Sequence, residues 1–460
     1  MDGLTGQLAA FVARPGLDRV PDEAVRIIRS GFIDTIATML AGYDQPVTRL
    51  VREHVRAKRS SLSEASLCLG QERAGAPEAA LVNGVAAHAL DYDDVALAGH
   101  PSTVLVPAVL AEGEALGASG LAAMRAYLVG YEVWAELIGR ESDSHHAKGW
   151  HPTGVFGTVA VAAAVANLRG LGADRSRDAL AIAASLAAGL TANFGTMTKP
   201  FHAGRAAANG IEAARLAQAG MTAAPDALEH AGGFLAALSP SGKVDRTRPA
   251  SDLGKKLAIL ELGLSIKKYP MCYATHRVID GVLDLARANR LAPGDVERVE
   301  ATIGSTQAGM LRNHAPVTGL EAKFSLEFAV ASALVAGKVG LAELTDEFVG
   351  KPMVRETMRK LSVATTETRC TLEPAFALTD RVAIKLRDGR TLDSGEIRFA
   401  RGNAKLPLRD EELRAKFMDC AKSAAHVDAA ALFERLTRLE CLSAIAELAG
   451  RRISAPSPQP

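Results

Sequence analysis

Residues 88–103, HALDYDDVALAGHPST, bring imidazoles and carboxylates together in one short segment. His88, Asp91, Asp93, Asp94 and His100 lie here, between the apolar stretches ALVNGVAA and VLVPAVLA. Imidazoles exchange protons near neutral pH, and carboxylates beside them orient them or stabilise their charge. The pattern therefore indicates acid–base chemistry at a partly buried site.

We interpret the start of this segment as a helix that ends near Asp94. One helical turn then separates His88 from Asp91, so these two share a face, whereas Asp93 and Asp94 diverge from each other. On this reasoning Asp91 is the functional carboxylate, and solvated positions that cap the next turn are the alternative for Asp93 and Asp94. An EF-hand is excluded because its glycine and its distant glutamate are missing.

Two His-Pro turns carry the next candidates. The segments HPS (100–102) and HPT (151–153) each place an imidazole, His100 or His151, beside the free N–H groups at the start of a helix. One such turn is an ordinary cap, but two in one bundle predict a shared pocket for an anion. The glycines around His151 do not form a phosphate loop, because VF stands where Lys and Ser or Thr are required.

The segment TMTKPFHAGR adds cationic groups. Lys199 precedes a proline, so we expect it in extended backbone at a helix start. Lys199, His202 and Arg205 have the chemistry to bind carboxylates. Two alternatives are a surface lysine and a Schiff base with pyridoxal phosphate, but the sequence shows no recognisable phosphate cup for that cofactor.

The segment SIKKYPMCYATHRVID places Lys267 and Lys268 ahead of His276, which is predicted at or near a helix start. A buried histidine bonded to a carbonyl is the alternative for His276. Seven of the eleven histidines fall in residues 88–103, in HHAKGWHPTGVFG (residues 145–157) and in the two lysine-bearing segments, and this concentration favours a common site: His88, His100, His145, His146, His151, His202 and His276.

Helices must position most of these groups. Apolar periodicity closed by glycine, as in VRIIRSGFIDTIATMLAG, predicts an all-helical domain of residues 1–265, completed by residues 405–460. Residues 266–404 are predicted to form a smaller α+β domain, since VERVEATIGST alternates like a strand and RVAIKLRDGRTLDSGEIRFA reads as a hairpin. The expected fold class is mainly α.

Composition excludes several kinds of partner. The 53 basic and 52 acidic residues give a net charge of +1, so no overall field attracts nucleic acid or an anionic membrane. The five cysteines are scattered and never spaced as C-x-x-C, which argues against zinc and iron–sulfur sites and for a reducing compartment. The sequence shows neither a secretory signal nor a membrane span, so we expect a cytoplasmic protein without a metal.

Six segments, in this order and over nearly the full chain, resemble the MmgE/PrpD family: NGVAAHALDYDDVALAGHPS, KGWHPTGVFG, KPFHAGRAA, LEHAGGFL, KKYPMCYATHRVIDG and AKFSLEFAVASAL. The resemblance implies a large all-helical domain, a smaller α+β lid domain and a homodimer. The activities it implies are dehydration of 2-methylcitrate, decarboxylation of cis-aconitate and epimerisation of iminodisuccinate.

The resemblance also implies a set of catalytic residues, carried over from the decarboxylase motifs: Asp91, His100, His151, Lys199 and His276. We predict further substrate-binding residues: His146, His202, Arg205, Lys267 and Lys268. The chain departs from the family pattern in three places. Val95 replaces the threonine of the first motif, the loop before His100 is one residue shorter, and His146 stands where a tyrosine is frequent.

We therefore predict a cofactor-independent lyase that acts on a small di- or tricarboxylate in a cleft between the two domains. Dehydration of the 2-methylcitrate type is the leading hypothesis, with His151 and His276 beside the reacting carbon and Lys199 and His100 on carboxylates. Decarboxylation is an alternative, as is epimerisation by His146 and Lys199. The remote alternative is a helical scaffold without enzymatic activity.

Overall fold

A computed structural model of the chain describes residues 3–15, 20–58, 60–373 and 375–449. They form two compact units, one from residues up to Ile266 together with those from Arg409 onward, the other from Lys267–Leu408. Helices predominate over strands, which confirms the mainly α class. Residues 450–460 of the predicted helical domain lie outside the described residues. In the part of the chain that is described, no helix is long and apolar enough to cross a bilayer.

The helices of the first unit before residue 266 are α1 (Leu4–Ala13), α2 (Asp22–Gly42), α3 (Pro46–Ala57), α4 (Ala76–His88), α5 (Ser102–Leu116), α6 (Gly120–Ile138), α7 (His145–Lys148), α8 (Pro152–Leu168), α9 (Ala173–Leu186), α10 (Thr198–Ala219), α11 (Phe234–Leu238) and α12 (Ala258–Leu262). A short antiparallel ribbon precedes α4, formed by β1 (Ala65–Ser66) and β2 (Arg73–Ala74).

Helices α4 and α8 are almost entirely buried, α10 buries 13 of its 22 residues, and the three form the centre of this unit. Two glycines allow α4 and α10 to cross closely, since a Cβ on Gly84 would lie 2.9 Å from the Cα of Gly204. A larger residue at either position would separate the two backbones. Gly84 lies one turn before His88, and Gly204 lies two residues after His202. The crossing therefore brings the histidine-bearing ends of both helices together.

The second unit contains the helices α13 (His276–Asn289), α14 (Ser305–Met310), α15 (Gly319–Ala322), α16 (Leu326–Ala336), α17 (Asp346–Val349) and α18 (Pro352–Met358). Its strands are β3 (Val296–Gly304), β4 (Leu361–Thr366), β5 (Arg381–Leu386) and β6 (Thr391–Asp393), in the order β4-β3-β5-β6. β4 runs parallel to β3, with Val299 opposite Leu361, whereas the other pairs are antiparallel. Alternate residues of β3 enter a core that α13 and α16 complete.

The chain then returns to the first unit with α19 (Asp410–Ala421) and α20 (Ala429–Leu436), and α19 packs against α2. Several local predictions are confirmed. α2 ends at Gly42, Gly220 and Gly337 cap α10 and α16 in the left-handed conformation, and β5 and β6 form the predicted hairpin. The sequence analysis did not identify β4, whose residues are mostly exposed and do not alternate in polarity.

A candidate acid–base site in the first unit

The first acidic segment is a loop and not the end of a helix. α4 ends at His88, and Asp91 has a φ of 51°, in the left-handed region that breaks a helix. Val95 then exchanges two backbone hydrogen bonds with Ser265, and the His-Pro turn leads into α5. The prediction of a helix to Asp94 is therefore wrong, and the shared helical face of His88 and Asp91 does not exist.

Asp93 is fully buried and bridges two histidines. Its carboxylate accepts from Nδ1 of His88 at 2.9 Å and lies 2.9 Å from Nδ1 of His100, whose ring also contacts the Asp94 carbonyl at 2.8 Å. Burial alone would raise the pKa of Asp93, but the two imidazoles outweigh it and hold that pKa well below its usual range. Burial lowers the pKa of His88 to about 4. Asp93 is thus an ionised carboxylate that orients the neutral imidazole of His88 and also holds the ring of His100.

Asp94 points away from these histidines and is also fully buried. The Ser102 hydroxyl donates to its carboxyl group and lies 2.7 Å from the hydroxyl of Tyr127. Burial and the nearby Asp34 raise the pKa of Asp94 well above its usual range. The alternative in which Asp93 and Asp94 are solvated is therefore wrong, because the loop turns inward and both find buried partners.

Asp91 pairs with Lys199, whose Nζ lies 2.7 Å from Oδ1, and the same oxygen lies 3.8 Å from Nε2 of His100. Lys199 is 8% exposed, which excludes a surface lysine. It is already helical, in the first turn of α10, so the prediction of extended backbone is wrong. The first turn tolerates Pro200 because its N–H groups need no acceptor within the helix.

His151 opens α8 as predicted and meets His202 of α10, with 3.1 Å between the two Nδ1 atoms. Gly189 has a φ of 147°, and a Cβ there would lie within 3.4 Å of both histidines, so glycine is needed at this contact. Burial and Lys199 lower the pKa of His151 well below its usual range and also lower that of His202. One Nδ1 must donate and the other accept, which requires at least one neutral ring.

His146 and Phe194 lie beside this pair. Burial, His100 and Lys199 lower the pKa of His146 to about 4. The Phe194 ring lies 4.8 Å from the ring of His151 and 6.1 Å from that of His146, and Lys199 Nζ lies 5.4 Å from its centre. Sequence reasoning missed Phe194, since an aromatic residue in the loop TANFGT carries no local signal of such contacts.

The structure thus brings together eight polar side chains of the first unit, which we call the imidazole cluster: His88, Asp91, Asp93, His100, His146, His151, Lys199 and His202. Arg205, on the same helix as His202, directs its guanidinium to Asn209 at 2.8 Å. His145 packs edge-on against Phe156.

Four members of the cluster have the donor types of a metal site. One ligand atom from each of His88, Asp91, Asp93 and His100 lies within 4.8 Å of the others. These groups already serve one another: Asp93 holds both imidazoles, and Asp91 holds the Lys199 ammonium. A divalent cation would have to compete with that ammonium, so the geometry fits an acid–base cluster better than a metal centre.

The remaining predicted residues lie on the second unit. His276 is the first residue of α13 and is buried, with its Nε2 3.3 Å from the Met271 carbonyl and the ring of Tyr273 5.1 Å away. Lys267 is buried and Lys268 is partly exposed. The helix start predicted at His276 is confirmed, whereas roles for these three residues stay predictions.

Comparison with known proteins gives the same family over almost all of the chain. The model of the MmgE/PrpD N-terminal domain matches residues 6–247, and that of the MmgE/PrpD C-terminal domain matches residues 269–439. The chain is 31% identical to a cis-aconitate decarboxylase of Homo sapiens over 417 residues, 87% of this chain and 83% of that protein. It is 29% identical to the Mus musculus protein of that name over 91% of this chain and 86% of the relative, and 24% identical to one of Aspergillus terreus over 99% and 97%. The chain belongs to the MmgE/PrpD family.

Proposed function

We propose that this protein is a lyase that decarboxylates cis-aconitate or a closely similar tricarboxylate. The observation that carries the proposal is the imidazole cluster, in which one ammonium and several neutral imidazoles share a buried site. Relatives at 24–31% identity are cis-aconitate decarboxylases, which favours decarboxylation over the dehydration that sequence reasoning placed first.

The electrostatics of the cluster suit a substrate with several negative charges. Burial and the Lys199 ammonium depress the pKa of His151, and the pKa of His146 lies at about 4. Carboxylates placed beside these rings would oppose both effects and raise the pKa of each. Substrate binding would thereby load a proton onto an imidazole, which is the general acid that decarboxylation needs.

The reaction can be written with its electrons balanced. In cis-aconitate, the bond from the methylene carbon to its carboxylate breaks, and that electron pair forms a new double bond to the central carbon. The former alkene pair moves to the outer carbon, which takes up one proton. The products are carbon dioxide and itaconate, and the charge that develops beside a carboxylate requires fixed cations and hydrogen-bond donors.

We assign roles by position. Lys199 and His100 bind carboxylates, and His151 delivers the proton while His202 holds its other nitrogen. Asp93 fixes the tautomer of His100, as a carboxylate does when it accepts from a ring N–H. Phe194 covers His151 and keeps water from the reacting carbon.

Two expectations from the family resemblance stay predictions. His276 is expected to act on the same substrate, and its replacement by alanine should lower kcat. The chain is expected to form a homodimer, which sedimentation velocity of the purified protein tests.

The direct test is incubation of the protein in heavy water with cis-aconitate, 2-methylcitrate or iminodisuccinate, followed by proton NMR. We expect itaconate from cis-aconitate, with one deuterium in its saturated CH2 group, which was the outer alkene carbon of the substrate. Loss of water from 2-methylcitrate, or inversion of iminodisuccinate, with cis-aconitate unchanged would contradict the proposal.

A binding test examines the proton directly. Calorimetry with the unreactive propane-1,2,3-tricarboxylate, in two buffers of different ionisation enthalpy, should show net proton uptake near pH 7. His151→Ala should reduce that uptake, whereas the exposed His54→Ala should leave it unchanged. Binding without any proton uptake would contradict the assigned role of His151.

A further inference from the structure

Lys416 of α19 is a buried lysine beside the acidic loop, 324 residues away from it in the sequence. It is 6% exposed, and its Nζ donates to the backbone carbonyl of Tyr92 at 2.8 Å. The same atom lies 3.9 Å from the centre of the Tyr92 ring and 2.5 Å from a carboxylate oxygen of Asp34 on α2. A carbonyl, an aromatic face and a carboxylate thus hold one ammonium in place.

Tyr92 is the residue between the two carboxylates that serve the imidazole cluster. On one side Asp91 pairs with Lys199, and on the other Asp93 bridges two histidines. The left-handed φ of Asp91 costs a non-glycine residue about 1 kcal/mol, so the loop needs contacts from outside to keep this conformation. Lys416 provides such a contact at the carbonyl of Tyr92, in the peptide group between Tyr92 and Asp93.

We propose that Lys416 is a positioning residue of the candidate site, which fixes the Tyr92 peptide and thereby sets where both neighbouring carboxylates lie. A shift of this peptide would move Asp91 relative to Lys199 and Asp93 relative to His100. A misplacement of about 1 Å costs on the order of 100-fold in rate, even when the altered residue does not touch the substrate. The kinetic consequence rests on the proposed decarboxylase function, whereas the structural consequence does not.

Replacement of Lys416 alone would leave the Asp34 carboxylate buried without its cation, which risks unfolding the chain. In Asp34→Asn the Lys416 ammonium keeps the Tyr92 carbonyl and the Tyr92 ring as partners. The test therefore compares Asp34→Asn with the double variant Asp34→Asn/Lys416→Met, so that the two proteins differ only at Lys416. A neutral pair of similar volume is commonly tolerated where a buried ion pair was. Lys422→Met is the matched control at the C-cap of α19, because that lysine is exposed and pairs with Asp419.

With cis-aconitate as substrate, we expect the double variant to have a kcat about 100-fold below that of Asp34→Asn, with KM changed by less than about threefold. Lys422→Met should equal the wild type. A double variant that melts like Asp34→Asn and has the same kcat would overturn the proposal. Should the double variant fail to fold, Lys416→Arg decides: its broader head group should displace Tyr92 and lower kcat about tenfold at an unchanged melting temperature. A wild-type kcat there would overturn the proposal as well.

A second readout needs no substrate. Imidazole N–H protons that are hydrogen-bonded to a carboxylate give downfield proton NMR resonances. Labelling with 15N-histidine would resolve these resonances, and their change in Asp93→Asn would assign them. We expect those of His88 and His100 to persist in Asp34→Asn and to shift or exchange faster in the double variant. Unchanged resonances would overturn the positioning role. If the wild type does not turn over cis-aconitate, the proposed function fails but this measurement still decides the role of Lys416.

Discussion

Two ionic clusters of the first unit, each at least partly buried, stabilise their charges in different ways. One is the imidazole cluster. The other, which we call the arginine cluster, joins Glu64 just before β1, Glu112 of α5, Arg169 at the C-cap of α8 and Arg215 of α10. Both remove charged groups from water, which is costly unless the groups stabilise one another.

In the arginine cluster each charge stabilises the next. Arg215 donates to Glu112 at 2.9 Å and to Glu64 at 3.0 Å. Burial opposes these charges, yet hydrogen bonds and partner charges lower the pKa of Glu64 and raise that of Arg215. In the imidazole cluster, by contrast, burial and the Lys199 ammonium lower the pKa values of His88, His146 and His151. The charges of the arginine cluster neutralise one another, whereas the proposed function requires the imidazole cluster to bind a further anion, the substrate.

The largest expected difference between the two clusters comes from removing one charge from each. Lys199→Met should lower kcat/KM for cis-aconitate about 1000-fold, because a fixed cation at the developing charge is lost. Glu112→Gln should leave kcat/KM unchanged but reduce the free energy of unfolding by about 3 kcal/mol, measured by urea denaturation, since it leaves two arginines without their buried partner. If Lys199→Met and Glu112→Gln lowered kcat/KM equally and lowered the free energy of unfolding equally, the two clusters would not differ in role.

Asp93→Asn should have the next largest effect. The amide can accept from one imidazole but presents an N–H group to the other, so one ring must change its tautomer or turn. We expect kcat to fall by about 100-fold with little change in melting temperature. Asp44→Asn, at an exposed aspartate, is the control. A fall confined to KM would assign Asp93 to substrate binding instead.

The pH dependence of stability offers a further way to tell the two clusters apart. Because the folded pKa of His88 is about 4 and its unfolded value is 6.5, the unfolded state binds more protons between these values, and stability is lost as the pH falls from 6.5 towards 4. His88→Phe removes this contribution. The difference in unfolding free energy between wild type and His88→Phe should shrink by about 3 kcal/mol between pH 7 and pH 4. His54→Phe, at an exposed histidine, is the matched control.

The smallest expected effect is that of a chelator. Since the donor atoms of the imidazole cluster bind one another and Lys199, incubation with EDTA followed by gel filtration should change kcat by less than about twofold. Loss of activity that returns only with added metal would show that these groups serve as ligands.

Local chemistry made part of this site predictable. The local sequence at His100 and His151 predicts where α5 and α8 begin, because proline fits the first helical turn. Glycine predicts helix ends in the same local way, as at the end of α10. Lys199 and His202 could be proposed because one segment supplies both.

Other features depend on residues far away in the sequence. After α4 ends at His88, the left-handed turn at Asp91 leads its carboxylate to Lys199, 108 residues away. Lys416 reads as one more lysine of an amphipathic helix until α19 packs on α2. β4 is an edge strand whose residues are mostly exposed, so its sequence lacks the alternation of polar and apolar residues that predicts a strand. Its pairing with β3 places it in the sheet.

The crossing of α4 and α10 at Gly84 and Gly204 has an implication for mutational scanning. Adding a single methyl group at either position would push apart the helices that carry His88 and His202, although neither glycine touches a reacting group. In a saturation screen for activity, Gly84 and Gly204 would therefore be as sensitive to substitution as the histidines of the site. Loss of activity on substitution in this protein would then identify residues that set the spacing of helices as well as residues that take part in the chemistry.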